Sequence, residues 1–375
     1  MLSVMSSIWQ DVREDFPAVK RCVYLNAAAH SPTPRPVRES VTAFYRQFEE
    51  GLDGWNRWIE RREEIREDVA RLINAEADEI AFVPNTSTGM NLIVDLVGQD
   101  GAVLTDEIEF PVVTLPWLHR GIAVHFMPVV EGIVRREVFG EQAPRAATIA
   151  LSHVQFSNGC RQDLEAFGAV KGDRNFVVNG SQSVGAFPVD VRKGRIDALA
   201  TGGHKWLCAG YGAGFVFISR RLLAAHPPAA IGWLSVADPF TFENRTFSVL
   251  PQARRVEMGC PPLGTIFALG AAVRYLTGIG IPKIAQRVLE LNAYLTRWLE
   301  HEGFTVLSPG GEHRSGETLC ALLDPKEATA FLADLGIIVT AKPEGIRIST
   351  HFFNTEEEIE ACVRGLVEYR KSVRS

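Results

Sequence analysis

The sequence has 375 residues, of which 46% are hydrophobic and 22% charged, and its formal net charge is −6 at pH 7. This length predicts one large domain with a smaller companion. The acidic balance and the lack of a long basic block argue against binding to nucleic acid or to a membrane surface. No apolar run reaches the roughly 18 residues of a membrane helix, and residues 1–16 lack the features of a secretion signal. We therefore expect a cytoplasmic protein.

The predicted elements alternate along most of the chain. Apolar residues recur at helical spacing over 35–50 and 55–74, which predicts amphipathic helices. Short apolar runs then alternate with helical segments, which predicts a largely parallel sheet covered on both faces. Ligands of such sheets lie beyond the carboxyl ends of the strands. The predicted strands are Ile80–Val83, Ala102–Leu104, Ala123–Phe126, Ala147–Leu151, Phe176–Val178, Ala198–Ala200 and Gly214–Ile218.

From residue 263 the pattern changes. Two long helical patterns, over Leu263–Gly278 and Ile281–Glu300, precede predicted strands at Phe304–Leu307, Thr318–Leu323 and Ile346–Ser349. This order indicates a smaller α+β domain. The six cysteines are spread singly, without C-x-x-C pairs, and are read as reduced thiols. No cluster of residues has the spacing of metal ligands, so no metal site is predicted.

A hydroxyl-rich turn follows the first predicted strand of the sheet. Thr86 and Ser87 lie in this turn, which opens an apolar helix. Free backbone N–H groups, the positive end of the helix and the two hydroxyls can bind a phosphate. The alternative is simple capping of the helix.

Lys205 lies on a glycine-rich loop between two apolar runs, Ile196–Ala200 and Gly214–Ile218. Small flanking residues let a flat ligand approach the backbone, so the lysine can form a Schiff base with a carbonyl compound or with pyridoxal phosphate. The alternatives are a solvated loop lysine and a dinucleotide loop at Gly210–Gly214, although the latter leads into a strand rather than a helix.

The run Ala200–Ile218 resembles the lysine region of class V aminotransferases, a pyridoxal-phosphate (PLP) family that includes cysteine desulfurases, kynureninase and isopenicillin N epimerase-like proteins. Other segments match in family order: 23–32, 84–92, 107–111, 152–159, 179–190, 255–261 and 345–356. The resemblance implies an α/β fold, that of the fold type I PLP-dependent transferases. It implies a large PLP-binding domain over 23–262 with a mostly parallel seven-stranded sheet, and a smaller α+β domain formed by 1–22 and 263–375. It also implies a homodimer with shared active sites.

The resemblance assigns roles to individual residues. Lys205 is expected to bond covalently to the cofactor and then to act as general base on an amino acid substrate. Arg347 is expected to bind the substrate carboxylate, and His30 lies on the segment that passes the mouth of the site. The expected cofactor-binding residues are Thr86, Ser87 and His204, Phe110 stacked on the ring, Gln155 and Gln182 near the phenolic oxygen, Asn179 at the pyridine nitrogen, and Cys260 reaching the phosphate of the other subunit.

Three positions depart from the family pattern. Asn179 stands where relatives carry an aspartate that keeps the pyridine nitrogen protonated, Gly202 where they often have serine, and Cys260 where they have threonine. The first departure predicts a weaker electron sink and slow turnover in ordinary transamination assays.

Three functions fit the pattern. The first is an aminotransferase or a lyase acting on an amino acid. The second is a cysteine desulfurase or selenocysteine lyase-like enzyme. Relatives with desulfurase activity carry a nucleophilic cysteine shortly before the closing arginine, but residues 335–345 contain none and Cys320 falls on a predicted strand. The third is a PLP-binding protein with reduced catalysis. The amino acid that serves as substrate is left open.

Overall fold

Short strands and amphipathic helices make up the computed structural model, which describes residues 7–374. The strands are β1 (Val23–Tyr24), β2 (Ile80–Val83), β3 (Val103–Asp106), β4 (Val124–Met127), β5 (Thr148–Ser152), β6 (Asn175–Asn179), β7 (Ala198–Gly202), β8 (Gly214–Ile218), β9 (Glu317–Ala321), β10 (Ile337–Ile338), β11 (Thr340–Lys342) and β12 (Gly345–Ser349). The helices are α1 (Ser7–Glu14), α2 (Arg35–Glu49), α3 (Trp55–Leu72), α4 (Thr86–Val97), α5 (Pro111–His119), α6 (Arg136–Gln142), α7 (Leu164–Val170), α8 (Arg220–Ala225), α9 (Leu263–Ile279), α10 (Ile281–His301), α11 (Pro325–Asp334) and α12 (Glu356–Arg374).

The larger sheet has the strand order β2-β8-β7-β6-β5-β3-β4. Strand β8 is antiparallel to both of its neighbours, and the other adjacent strands are parallel. All seven strands come from the apolar runs predicted above, so the α/β class and the mostly parallel seven-stranded sheet are confirmed. The apolar character of the runs reflects burial of the sheet on both faces, except at the edge strand β4, where His125 and Phe126 are exposed.

The register places the functional loops at one edge. Ser152 at the end of β5 pairs with Asn179 at the end of β6, and Asn179 pairs with Ala200 in β7. Because these strands are parallel, the loops that follow them leave the sheet on the same side. The segments that contain Gln155, Gln182 and Lys205 are therefore neighbours in space.

The smaller sheet is antiparallel and has the order β11-β12-β9. It packs with α10, α11 and α12 around a separate apolar core that also takes in Leu25. The predicted strand at Phe304–Leu307 is wrong: only an isolated bridge joins Val306 to Cys320 there. That segment lies beside β9 but makes too few ladder bonds to form a strand.

The chain entry and the helices α9 and α10 connect the two sheets. β1 pairs in parallel with β10, which joins the start of the chain to the smaller sheet. Helix α9 packs into the larger core, as does the first part of α10. The division into 23–262 and 1–22 with 263–375 stays a prediction, and residues 1–6 lie outside the described part of the chain.

The length and apolar character of the helices bear on whether the chain can span a membrane. Within residues 7–374, no single helix is long and apolar enough to cross one. Helices α9 and α10, which are bent by 78° at their junction, could span a membrane only when they are taken together, and by length and composition alone.

Candidate active site

Lys205 lies on the loop between β7 and β8, just beyond the carboxyl end of β7. Two backbone hydrogen bonds tighten this loop: the Gly203 N–H donates to the Ala213 carbonyl (2.7 Å), and the Ala209 N–H donates to the Gly203 carbonyl (2.8 Å). The Lys205 Nζ lies 5.9 Å from the centre of the Phe110 ring. A flat ligand bonded to this amine would therefore have an aromatic neighbour.

The environment of Lys205 favours its neutral form. Burial lowers the pKa of Lys205 to about 8, Glu317 opposes this shift, and the positive charges of Arg347 and Lys342 add to it. A larger fraction of the amine is unprotonated near neutral pH than for an ordinary lysine. Such an amine can attack a carbonyl carbon and can also accept a proton as a general base.

The start of α4 forms an open cradle for an anion. The Asn85 Oδ1 accepts a hydrogen bond from the Thr88 N–H (2.9 Å) and caps the helix, and Thr86 Oγ1 lies 2.7 Å from Ser181 Oγ. The first N–H groups of a helix, here those of Thr86 and Ser87, have no partner within it. They point outward and attract a phosphate.

Gly202 keeps this cradle open. A Cβ atom at this position would lie 3.0 Å from His204 Nδ1 and 3.3 Å from Thr86 Oγ1. A serine, which the resemblance leads one to expect here, would crowd both groups. The glycine therefore leaves space between the helix start and the His204 imidazole.

His204 is held as a neutral ring. Burial lowers its pKa to about 4, with Lys205 and His30 adding to the shift. The imidazole stacks on Tyr211, with ring centres 4.9 Å apart and an interplanar angle of 16°. A neutral imidazole offers one donor and one acceptor nitrogen to a bound group.

Asn179 ends β6 with both ends of its amide engaged. Its Nδ2 donates to Ser152 Oγ (3.0 Å), and its Oδ1 accepts from the Ser181 N–H (3.1 Å). Ser152 Oγ in turn donates to Glu109 Oε2 (2.6 Å). Asn179 is therefore one end of a buried polar chain that leads to a carboxyl group.

Gln155 joins the same polar cluster. Its Nε2 donates to Asp106 Oδ2 (2.7 Å) and to Glu109 Oε1 (2.9 Å), while its Oε1 is buried and accepts no hydrogen bond from residues 7–374. Burial and the neighbouring Glu109 raise the pKa of Asp106 to about 9, and burial raises the pKa of Glu109. Both carboxyl groups accept from the same Gln155 amide, and their burial and mutual repulsion disfavour ionisation of both at once.

The sequence analysis missed Asp106 and Glu109 as members of the site. Asp106 is the last residue of β3, and Glu109 directly precedes Phe110. Their position at the carboxyl end of a parallel strand was a usable signal.

Gln182 and Trp206 fix the base of the lysine loop. Gln182 donates from Nε2 to the Ala28 carbonyl (3.0 Å) and accepts at Oε1 from Trp206 Nε1 (2.8 Å). The Trp206 side chain is completely buried. Gly185 adopts φ +103°, and a Cβ atom there would collide with the Trp206 carbonyl. The residue after Lys205 is therefore held by its side chain and by its backbone.

Arg347 reaches the site from the smaller sheet. Its Nη1 donates to the Phe156 carbonyl (3.2 Å) and lies 3.4 Å from Glu317 Oε2. Lys342 Nζ lies 4.4 Å from the centre of the Phe156 ring. The arginine predicted to bind a carboxylate thus faces the large sheet. Beside it lies the buried Glu317, which the sequence did not indicate as a site residue.

His30 and Cys260 lie at the periphery. The exposed His30 ring lies 5.9 Å from the Tyr24 ring and 6.2 Å from the Tyr211 ring, measured between centres. Cys260 is exposed. No hydrogen bond among the described residues connects Cys260 with the other predicted site residues in the same chain.

These residues fit a flat aldehyde that carries a phosphate. The amine of Lys205, the Phe110 ring and the Gly202 cradle supply a covalent anchor, a stacking face and an anion site. Gln155 Oε1 is a further buried acceptor that has no hydrogen-bond partner among the described residues. No group of three or more His, Cys, Asp or Glu side chains within residues 7–374 is arranged to hold a metal ion.

Comparison with known proteins agrees with this fit. The family model for Aminotransferase class-V matches residues 23–362. A probable cysteine desulfurase of Pyrococcus abyssi is 29% identical, with 98% of each chain covered, and the isopenicillin N epimerase of Amycolatopsis lactamdurans is 27% identical, with 98% of this chain and 100% of the relative covered. The apo structure of the cysteine desulfurase from Thermococcus onnurineus superposes with a TM-score of 0.90 at 25% identity, covering 99% of this chain and 100% of that one.

The fold and the site together define a PLP-dependent enzyme of fold type I that acts on amino acids. More particularly, the chain belongs to the class V aminotransferase family. When bound, the cofactor supplies an electron-accepting ring that stabilises negative charge on the substrate. The protein supplies the lysine that bonds to the cofactor, the anion cradle at α4 and the groups that surround the substrate.

Proposed function

We propose that this protein is an aminotransferase or a lyase in which Lys205 moves a proton at the substrate Cα or at the neighbouring carbon. One observation carries the proposal. The lysine amine, with its pKa lowered to about 8, lies 5.9 Å from the centre of the Phe110 ring. That ring packs 4.9 Å from the Phe156 ring, and Arg347, which can fork onto a carboxylate, donates to the Phe156 carbonyl. This arrangement holds an amino acid by its carboxylate while a base stands at its Cα.

A cysteine desulfurase is the second candidate, because several relatives carry that name. We rank desulfurase activity below aminotransferase or lyase activity because of where the cysteine thiols lie. Strands β11 and β12 are joined by a turn of only Pro343 and Glu344, which leaves no loop to carry a nucleophilic cysteine ahead of Arg347. Cys160 and Cys208 are completely buried, and burial raises the pKa of each thiol to about 12. Such thiols are poor nucleophiles.

Reduced catalysis is the third candidate and rests on Asn179. Its amide is neutral, so it gives no charge to hold a proton on the pyridine nitrogen. We expect slow transamination of ordinary amino acids, with cofactor binding retained.

We also propose that the active protein is a homodimer with shared sites. Large apolar side chains are exposed on the segment that precedes Cys260: Trp233, Phe240, Phe242 and Phe247. An exposed aromatic cluster of this kind is typical of a subunit interface. In this arrangement Cys260 contributes to the phosphate site of the partner.

An absorbance spectrum of the purified protein, followed by a screen of amino acids, tests the proposal. Transamination converts the cofactor to its amine form and yields a keto acid, whereas a lyase releases ammonia or a side-chain fragment without that change. Activity that produces sulfane sulfur from cysteine and is lost on thiol alkylation would overturn the ranking. Light scattering checks the dimer, and Phe240→Ser should shift the mass towards a monomer.

A further inference from the structure

Glu317 lies on the face of the smaller sheet that contacts Phe156. In the antiparallel register, Arg347 pairs with Leu319 and Thr340, and Glu317 pairs with Ser349. Alternate residues of a strand, and their cross-strand partners, share one face. Glu317, Arg347 and Lys342 therefore lie on the same face, and Arg347 and Lys342 both contact Phe156 of the large sheet's loop.

Glu317 is buried with open acceptors. The residue is 2% exposed, and neither carboxylate oxygen accepts a hydrogen bond from any described residue. Its nearest cation is Arg347, at 3.4 Å from Nη1. A buried carboxylate without donors is costly, so a donor from a bound molecule would be strongly favoured.

The same carboxylate is electrostatically linked to the lysine of the site. Burial raises the pKa of Glu317 to about 7, while the positive charges of Arg347, Lys205 and Lys342 oppose the shift. The geometry links the same groups: Arg347, the ion-pair partner of Glu317, donates to the Phe156 carbonyl, and the Phe156 ring lies 4.9 Å from the Phe110 ring. Lys205 Nζ lies 5.9 Å from the centre of that Phe110 ring. Glu317 therefore lies on the side of the site where Arg347 can hold a substrate.

We infer that Glu317 selects the class of substrate: an amino acid whose side chain carries an N–H or O–H donor and no carboxylate. This inference rests on the proposed function. Lys205 is taken up by its bond to the cofactor, so Arg347 and Lys342 remain as two positive charges beside the one negative charge of Glu317. One substrate carboxylate then completes the balance. A second carboxylate would face Glu317 and be repelled. A side-chain donor would instead fill the open acceptors of Glu317.

Three amino acids of the same size and branching provide the test: asparagine with a donor, aspartate with a second charge, and leucine with neither. Dissociation constants are measured from the change in cofactor absorbance. The wild-type protein should bind asparagine at least about tenfold more tightly than either of the others. Equal binding of asparagine and aspartate, or of asparagine and leucine, would overturn the inference.

Two variants sharpen the result. In Glu317→Gln the preference for asparagine over aspartate should fall to about twofold or less. Glu344→Gln is the matched control, because it removes one exposed carboxylate from the turn of the same sheet, and it should keep the full preference. If Glu317→Gln does not fold, the relative affinities of the wild-type protein for the three amino acids decide whether the inference holds. If none of the three amino acids changes the spectrum, the proposed function itself fails, whereas equal changes with all three leave it standing and remove the role of Glu317.

Discussion

Replacing Asn179 with aspartate tests the buried polar chain at the end of β6. Asn179 Nδ2 donates to Ser152 Oγ over 3.0 Å, and the Ser152 proton goes to Glu109 over 2.6 Å. An ionised aspartate only accepts hydrogen bonds, so it would present an oxygen to Ser152 Oγ without a proton between them. The contact with the Ser181 N–H survives, because either side chain can accept it.

The size of the loss in unfolding free energy follows from the burial of Asn179. Asn179 is 4% exposed, and the loss of one buried hydrogen bond costs about 1 to 3 kcal/mol. A protonated aspartate can donate to Ser152 and avoids most of this cost. Burial and the carboxyl groups of Glu109 and Asp106 raise the pKa of the introduced group above its unfolded value. The pKa of the introduced carboxyl group is then higher in the folded than in the unfolded protein. Its contribution to the stability of the protein is present at low pH and is lost as the pH rises through its pKa in the folded state.

Urea unfolding of the cofactor-free protein, followed by tryptophan fluorescence, measures the effect. The difference in unfolding free energy between wild type and Asn179→Asp should widen by about 1 to 3 kcal/mol between about pH 5 and about pH 9. Asn179→Ala is the control, since it removes the donor without adding a titrating group and should give a loss that does not depend on pH. A constant difference between wild type and Asn179→Asp across this range would refute the reasoning.

Three further predictions concern the rest of the site. Borohydride reduction should fix the cofactor on Lys205, as read by peptide mapping, and Lys205→Ala should lose the label; a label on Lys171 would contradict this. Arg347→Lys keeps the charge but loses the fork, so affinity for amino acids should fall about tenfold with an unchanged cofactor spectrum, whereas equal activity on decarboxylated amines would speak against it. Gly185→Ala should lower the unfolding free energy by at least about 1 kcal/mol, because φ is +103° and the added Cβ would collide with the Trp206 backbone. Gly278→Ala on α9 is the control: its added Cβ would meet nothing within 4 Å, so it should not destabilise the protein.

Much of the fold could be predicted because the larger sheet is mostly parallel. Apart from the edge strand β4, its strands are buried and appear as continuous apolar runs, and the loops with functional residues follow their carboxyl ends. Thr86, Asn179 and Lys205 were found in this way, since each stands at or just after such a run. The rule depends only on local sequence, so it needs no knowledge of strand order.

Glu317 could not be predicted by the same rule. In the sequence it is an acidic residue between a glycine and a threonine, which is typical of an exposed strand end. Its burial arises from pairing with Ser349, which lies 32 positions later. Antiparallel register of this range is set by tertiary packing, and a shift of one residue would turn Glu317 to the opposite face. The wrong strand at Phe304–Leu307 has the same origin, because apolar alternation alone does not supply a ladder partner.

Asn179 and Glu317 together shift negative charge within the site. Asn179 provides no carboxylate at the end of the site near the cofactor ring, where the resemblance places an aspartate. Glu317 provides one on the substrate side, beside Arg347. The two side chains share no hydrogen-bond partner, so their effects should be independent. The double variant Asn179→Asp with Glu317→Gln should therefore show the pH-dependent loss of stability of the first change and the relaxed asparagine preference of the second, each at the size seen in the single variants. Strong coupling between them would mean that the charges at the two ends are balanced through the site as a whole and not separately.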